Sequence, residues 1–280
     1  MKIGLFYQLT EKMNGPTKLA LNLISGLREI GVAWQANHIC RYNGCLQSWV
    51  PEYKSLPRNT LMGPNLFVIP SDDWDVFSLY ESFICPSDWV KNKYNFYEKV
   101  REKKLFVWPV GIDTNKFNAQ NKKIQKDCFI YFKQRSRDEL AKVEHYLQCR
   151  HLSYDIFESG NYEENELIQK TKQYSFCLLL TNTESQGIAY LEILSSNTPC
   201  FVFDQQLFSY KSLVAPATSV PYFSNECGMI EPNILNEDSL DVFLSNFPKY
   251  QPRQYIIKNH TLSIAAKHYV DLILLSHKTL

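Results

Sequence analysis

The sequence predicts an α/β protein of two Rossmann-like, doubly wound halves, and three observations predict it. Short apolar runs alternate with helical patterns twice along the 280 residues. A polar, lysine-rich stretch from Asn115 to Asp127 separates the two series. A long helical pattern, RQYIIKNHTLSIAAKHYVDLILL, closes the chain. The expected division is a first domain over 1–115, a linker over 116–127, a second domain over 128–250, and a C-terminal helix over 251–280 that packs back across both.

The elements follow in order. KIGLFY reads as a buried strand, and PTKLALNLISGLREIG places apolar residues at 19, 20, 23, 24, 27 and 30, on one helical face. Pro16 suits the first helical turn and Gly31 the stop. Strand-like runs follow at VAWQANHI, NLFVIP and SFICPS, then a helix at DWVKNKYNFYEKVREK and a strand at LFVWPV. The second series runs CFIYF strand, RDELAKVEHYL helix, YDIF strand, EENELIQKTKQY helix, FCLLL strand, a helix from about Gly187 to Asn197, and CFVF strand.

Composition narrows the function classes. A hydrophobic content of 45% with 21% charged residues is the profile of a core-forming chain and excludes disordered and fibrous classes. Thirty basic residues against twenty-nine acidic ones leave a formal charge of +1, so no whole-chain field draws nucleic acid, and any anionic ligand is held locally. The opening MKIGLFYQLTEKMNG fits neither a signal peptide nor a membrane span, and the expected location is cytoplasmic. Three of the eight cysteines, Cys128, Cys177 and Cys200, stand at apolar runs, as reduced buried thiols do. Cys40 and Cys45 are spaced too widely for paired zinc ligands, and no metal is expected.

Open α/β sheets bind ligands outside the carboxyl ends of their strands, so the loops after KIGLFY, FIYF and FCLLL carry the chemistry. The third reads TNTESQGIAYLEILSSNTPCFVF. At the start of its helix, the backbone amides of Gln186, Gly187 and Ile188 would bind a phosphate, the helix dipole adding partial positive charge. Glu192, further in, can accept hydrogen bonds from two ribose hydroxyls, while Glu184 on the loop reaches sugar hydroxyls or the reacting centre. After FIYF stand Lys133, Arg135 and Arg137; of these, Lys133 and Arg135 offer fixed positive charge to an anionic leaving group, and Arg137 belongs to the exposed helix start.

Together these residues resemble the retaining glycosyltransferases of GT-B fold, family 4, whose donor site carries a Glu, seven intervening residues and a Glu, with Gly fourth. Glu184, Gly187 and Glu192 match, Pro199 fits the turn into the next strand, and LFVWPVGIDTNKF resembles the interdomain signature through Gly111, Asp113 and Phe117. The match is partial at Asn14-Gly15-Pro16, where the family has a glycine-rich turn near the donor diphosphate, and after FIYF, where it has a Gly-Arg pair and a later Lys. The resemblance implies two Rossmann-like domains facing a cleft. The second would hold a nucleotide sugar, a UDP- or GDP-sugar, as co-substrate with no separate cofactor. The first would shape the pocket of a glycan, lipid-linked or protein acceptor, with Gly15 near the diphosphate. Transfer would be retaining and metal-independent, with Glu184, Lys133 and Arg135 at the reacting centre.

Competing signals are weaker. Asp73-Trp74-Asp75 matches the metal-binding Asp-x-Asp pattern of the other glycosyltransferase architecture, yet an acidic turn before a helix gives the same residues. KNKYNFYEKVREKK mixes lysines with aromatics and offers a membrane contact, or simply an amphipathic helix with snorkelling lysines. No histidines pair at metal-ligand spacing; His38 stands near a strand end, and His145 and His151 surround a surface helix. A non-catalytic GT-B-like subunit that binds sugar or a partner is the alternative, since the chain is short for the family and two motifs are altered. Loss of both glutamates would favour it, and both are kept. An epimerase or dehydrogenase would want G-x-G-x-x-G after the first strand, and that pattern is absent.

Overall fold

The computed structural model describes the chain apart from residues 73, 161–163, 233–235, 237 and 278–280. It divides into two compact units, Met1–Gly111 with His260–Leu280, and Ile112–Asn259.

In the first unit the chain runs β1 (Lys2–Phe6), α1 (Gly15–Glu29), β2 (Ala33–Ala36), β3 (Tyr42–Gln47), β4 (Leu61–Asn65), α2 (Trp74–Leu79), β5 (Ser82–Cys85), α3 (Asp88–Tyr94), α4 (Glu98–Arg101) and β6 (Lys104–Val107). Among the described residues the strands form a parallel sheet in the order β2-β1-β3-β4-β5-β6. Helix α1 begins as its sequence directs: the Asn14 side chain accepts from the Thr17 amide at 2.9 Å and Pro16 occupies the first turn. It stops where Gly31 takes φ +68°.

Three expectations differ in detail. Strand β3, YNGCLQ, stands where no strand was read, because its polar residues hide behind side-chain pairing. Asn43 exchanges hydrogen bonds with the backbone of Cys40, and Gln47 does so with that of Gln8. Strand β4 ends at Asn65, where the NLFVIP strand was expected to begin. The helix expected over 88–103 is two short helices, since buried Val90 and Tyr94 keep helical spacing and the next buried apolar residue of the run, Val100, does not.

The second unit runs β7 (Lys126–Lys133), α5 (Arg137–Cys149), β8 (Tyr154–Glu158), α6 (Glu164–Gln173), β9 (Tyr174–Thr181), α7 (Ile188–Ser195), β10 (Cys200–Phe203), β11 (Leu207–Tyr210), β12 (Leu213–Pro216), β13 (Gly228–Glu231), α8 (Asp238–Ser245) and α9 (Pro252–Asn259). Its parallel sheet has the order β13-β10-β9-β7-β8, and β11 and β12 form a separate hairpin. Uninterrupted apolar runs make these central strands because both faces are covered. Phe129, Tyr131, Cys177 and Leu179 enter one core, whereas Cys128, Ile130, Phe132, Leu178 and Leu180 enter the other.

The division between units falls after Gly111, and the stretch expected as a linker lies against the second unit. Phe117 is buried in that unit's core, Lys122 donates to the Asn197 carbonyl and Thr198 Oγ1, and the amides of Lys123 and Gln125 donate to the carbonyls of Lys172 and Gln173. Burial draws the Lys122 ammonium down to about 8.

The closing helical pattern is likewise two helices. Helix α9 belongs to the second unit, where Arg253 donates to the carbonyls of Thr114, Phe117 and Ser195. A second helix, α10 (Leu262–His277), starts where Thr261 Oγ1 accepts from the Ile264 amide and packs in the first unit. There the Trp108 indole donates to the Ala265 carbonyl at 2.8 Å. Gly26 of α1 lets α10 approach, since a Cβ there would lie 2.3 Å from the Leu262 carbonyl oxygen. No described helix is long and apolar enough to cross a membrane.

Candidate functional site

The second sheet reverses direction between β7 and β9. From β7 the chain steps to β8 on one side, then returns to β9 on the other. Ligands of doubly wound sheets lie outside the carboxyl ends at such a switch point. Two ionisable residues meet there: Lys133 is the last residue of β7, in register with Thr181 at the end of β9, and Glu184 stands three residues beyond. Lys133 Nζ donates to Glu184 Oε1 at 2.6 Å.

Both side chains are largely covered, with 33% and 17% exposure, so their charges are poorly screened. Burial pushes the Glu184 carboxyl up, and the Lys133 charge opposes it without cancelling it. For Lys133, burial pulls down, while the charge and hydrogen bond of Glu184 outweigh it and the net direction is up. Above the raised Glu184 value the pair is ionised, with an ammonium that has further N–H groups to offer a ligand.

The loop carrying Glu184 is fixed by its backbone. The Asn182 amide donates to the Lys133 carbonyl at 2.9 Å and the Glu184 amide to the Thr218 carbonyl at 3.0 Å. The Thr181 carbonyl accepts from Arg135 Nη1 at 3.1 Å and from Ser219 Oγ at 2.9 Å.

Beyond the loop, Gln186 is 7% exposed and Gly187 forms the N-cap of α7 with φ +70°. Only glycine fits there: a Cβ would lie 1.9 Å from Cε1 of Tyr190, a buried ring whose hydroxyl accepts from the Tyr222 amide. The first amides of α7, from Ile188 onward, have no acceptor within the helix, as at any helix start. Glu192 stands in α7, one turn beyond Ile188, at 1% exposure.

The other predicted residues take different places. Arg135 is held by Glu139 through Nε and Nη2 and by the carbonyls of Thr181 and Phe203 through Nη1, with 8% side-chain exposure. Its guanidinium braces the ends of β9 and β10, and Arg135 is also among the residues that line the concavity at the ends of β7 and β8. Gly15 opens α1 in the first unit, where an added Cβ would meet nothing within 4 Å; the capping is done by Asn14. Asp75 lies in the first turn of α2 and pairs with exposed Lys54 at 3.4 Å, while Asp73 of the Asp-x-Asp pattern lies outside the described residues.

The sequence reading missed the opposite wall. A concavity of about 500 Å³ opens at the ends of β7 and β8, lined by Lys133, Gln134, Arg137, Glu158, Ser159 and Gly160 among others. Arg137 pairs with Glu158 at 2.8 Å and lies over the Phe132 ring at 4.8 Å. Gln134 takes φ +54°, the conformation that glycine adopts most cheaply. Gly160, at φ +88°, was the legible signal for the turn after β8.

No family model and no curated protein sequence matches the chain. Solved structures do. AviGT4, a glycosyltransferase involved in avilamycin A biosynthesis, is similar with a TM-score of 0.67 at 10% identity, over 99% of this chain and 98% of that one. An α-glucosyltransferase in complex with UDP and a 13-mer DNA containing an HMU base gives 0.64 at 11% identity, over 98% and 99%. Sucrose-phosphate synthase from Thermosynechococcus elongatus gives 0.64 at 11% identity, over 100% of both chains. At such identities the likeness establishes the fold, which is GT-B, with two Rossmann-like domains.

Proposed function

We propose that the chain is a glycosyltransferase that moves a hexosyl unit from a nucleotide sugar to an acceptor hydroxyl. The observation that carries this reading is the partly buried Lys133–Glu184 pair at the switch point of the second sheet, with Glu184 three residues before a helix start that requires glycine. Fold alone does not give function. This pair, however, places a fixed cation and a carboxylate side by side where a sugar diphosphate would lie.

The roles follow from the chemistry. Lys133 and the first amides of α7 stabilise charge on the departing diphosphate. Glu184 accepts hydroxyls of the transferred sugar, and Glu192 those of the ribose. The donor's anomeric C–O bond breaks, the acceptor oxygen bonds to that carbon, and the acceptor proton passes to a phosphate oxygen of the leaving group. Retention of configuration and independence of metal belong to the proposal. UDP, held by the α-glucosyltransferase of similar fold, makes UDP-sugars the first donors to test, with GDP-sugars next.

The test is a thermal-shift screen of wild type and Glu192→Ala, which removes the ribose acceptor, against UDP-, GDP-, ADP- and CMP-sugars, with and without EDTA. A donor that raises Tm of the wild type alone, EDTA having no effect, supports a metal-free donor site. No response to any donor favours a non-catalytic GT-B-like subunit.

A further inference from the structure

We infer that Asp204 is a positioning residue for Glu184, acting through the return strand of the β11–β12 hairpin; the inference rests on the glycosyltransferase reading. Asp204 follows β10, and its Oδ1 accepts from Thr218 Oγ1 at 2.9 Å and from the Ser219 amide at 2.6 Å. These contacts close the neck of a loop that holds the hairpin, the Ala217 amide donating to the Gln206 carbonyl just inside it.

Residues 218 and 219 then reach the site loop. The Thr218 carbonyl receives the Glu184 amide, and fully buried Ser219 sends its hydroxyl to the Thr181 carbonyl while its Oγ accepts from the Gln205 amide. One carboxylate oxygen thus fixes the two residues that set the loop between β9 and α7. The same loop carries Glu184 to Lys133. A two-stranded hairpin is marginal by itself. Its neck is the part with a defined anchor, and the anchor is Asp204.

The chemistry distinguishes acceptor from charge. Asparagine keeps an oxygen that can receive both hydrogen bonds, whereas alanine removes it. The experiment compares wild type, Asp204→Asn, Asp204→Ala, Thr218→Ser and Thr218→Val by amide hydrogen exchange and by steady-state turnover of the donor found in the screen. In Asp204→Ala, the Glu184 amide should exchange at least about tenfold faster while that of Asn182, held by the Lys133 carbonyl, keeps its protection. The same variant should lose about tenfold or more in kcat with donor KM within about threefold, and Asp204→Asn should restore both readouts. Thr218→Ser, which keeps both hydroxyl contacts, should match the wild type, whereas Thr218→Val, which removes the Asp204 contact and the acceptor of the Val220 amide, should fall between, and the pair carries the test if Asp204→Ala does not fold. Unchanged Glu184 exchange in Asp204→Ala and Thr218→Val, or faster exchange with unchanged kcat, overturns the inference. If the wild type turns over no donor, the glycosyltransferase reading fails, and exchange alone decides whether Asp204 holds Glu184.

Discussion

Lys133 Nζ and Glu184 Oε1 lie 2.6 Å apart across the ends of two adjacent parallel strands, each partner largely covered by protein. Removing one partner strands the other. Lys133→Met should destabilise the protein by about 2–4 kcal/mol at neutral pH in denaturant unfolding, because it leaves a covered carboxylate without its cation. Glu184→Gln should fold with a smaller loss, since the amide oxygen still accepts from Lys133, yet lower kcat/KM by roughly 10²-fold or more. A double-mutant cycle should return a clear coupling energy.

The pH profile should follow from the same pair. The Glu184 carboxyl is raised above its ordinary 4.5, so activity should fall on the acid side at a pH higher than that value. The Lys133 ammonium is raised above its ordinary 10.5, so its contribution to stability is full below 10.5 and is lost only as pH rises through the higher folded value. A kcat/KM profile whose acid limb lies at or below 4.5 would contradict this account of Glu184.

Gly187→Ala should be among the most damaging single substitutions in the second unit. It places a methyl group where a Cβ meets Tyr190 at 1.9 Å and imposes φ +70° on a residue that disfavours it. Overpacking and the backbone cost together predict a loss of about 2–4 kcal/mol. Gly15→Ala, by contrast, should leave urea unfolding nearly unchanged, because nothing lies within 4 Å of the new atom.

Arg135 should behave as a brace. Its hydrogen bond, followed by those of Ser136 and the Arg135 charge, holds the Glu139 carboxyl down at about 2 against burial. That stability is present above the ordinary 4.5 and lost as pH falls toward 2, so wild type should weaken across this window and Arg135→Met should not show the same step. The variant should also lose about 1–3 kcal/mol at neutral pH, as two interior carbonyls lose a donor. Donor KM should change little once folding is accounted for.

The parts of the fold that were legible are those where burial imposes a pattern. CFIYF and FCLLL are apolar without interruption because their strands are covered on both faces, and Asn14 and Pro16 announce α1 through capping chemistry. Strand β3 was hidden because its polar residues break the apolar run, and Gln47 is satisfied by contacts thirty-nine residues away, which no local pattern encodes. The places of Lys133 at the end of β7, of Glu184 just beyond β9 and of Gly187 before α7 were legible from the apolar runs and the helix start that flank them. The contacts of Arg135 with the Thr181 and Phe203 carbonyls were not legible, because charge after a strand looks the same whether it faces a ligand or neighbouring carbonyls. Asp204 and Ser219 were invisible, since their role comes from a chain return that local sequence does not announce.

The most direct measurement is product analysis after incubating purified protein with the donor that stabilises it, in EDTA, beside Glu184→Gln. The account predicts release of the nucleoside diphosphate by wild type, with transfer of sugar to an added acceptor or slow hydrolysis in its absence, and a fall of about 10²-fold or more in the variant. Equal release by wild type and Glu184→Gln would contradict it.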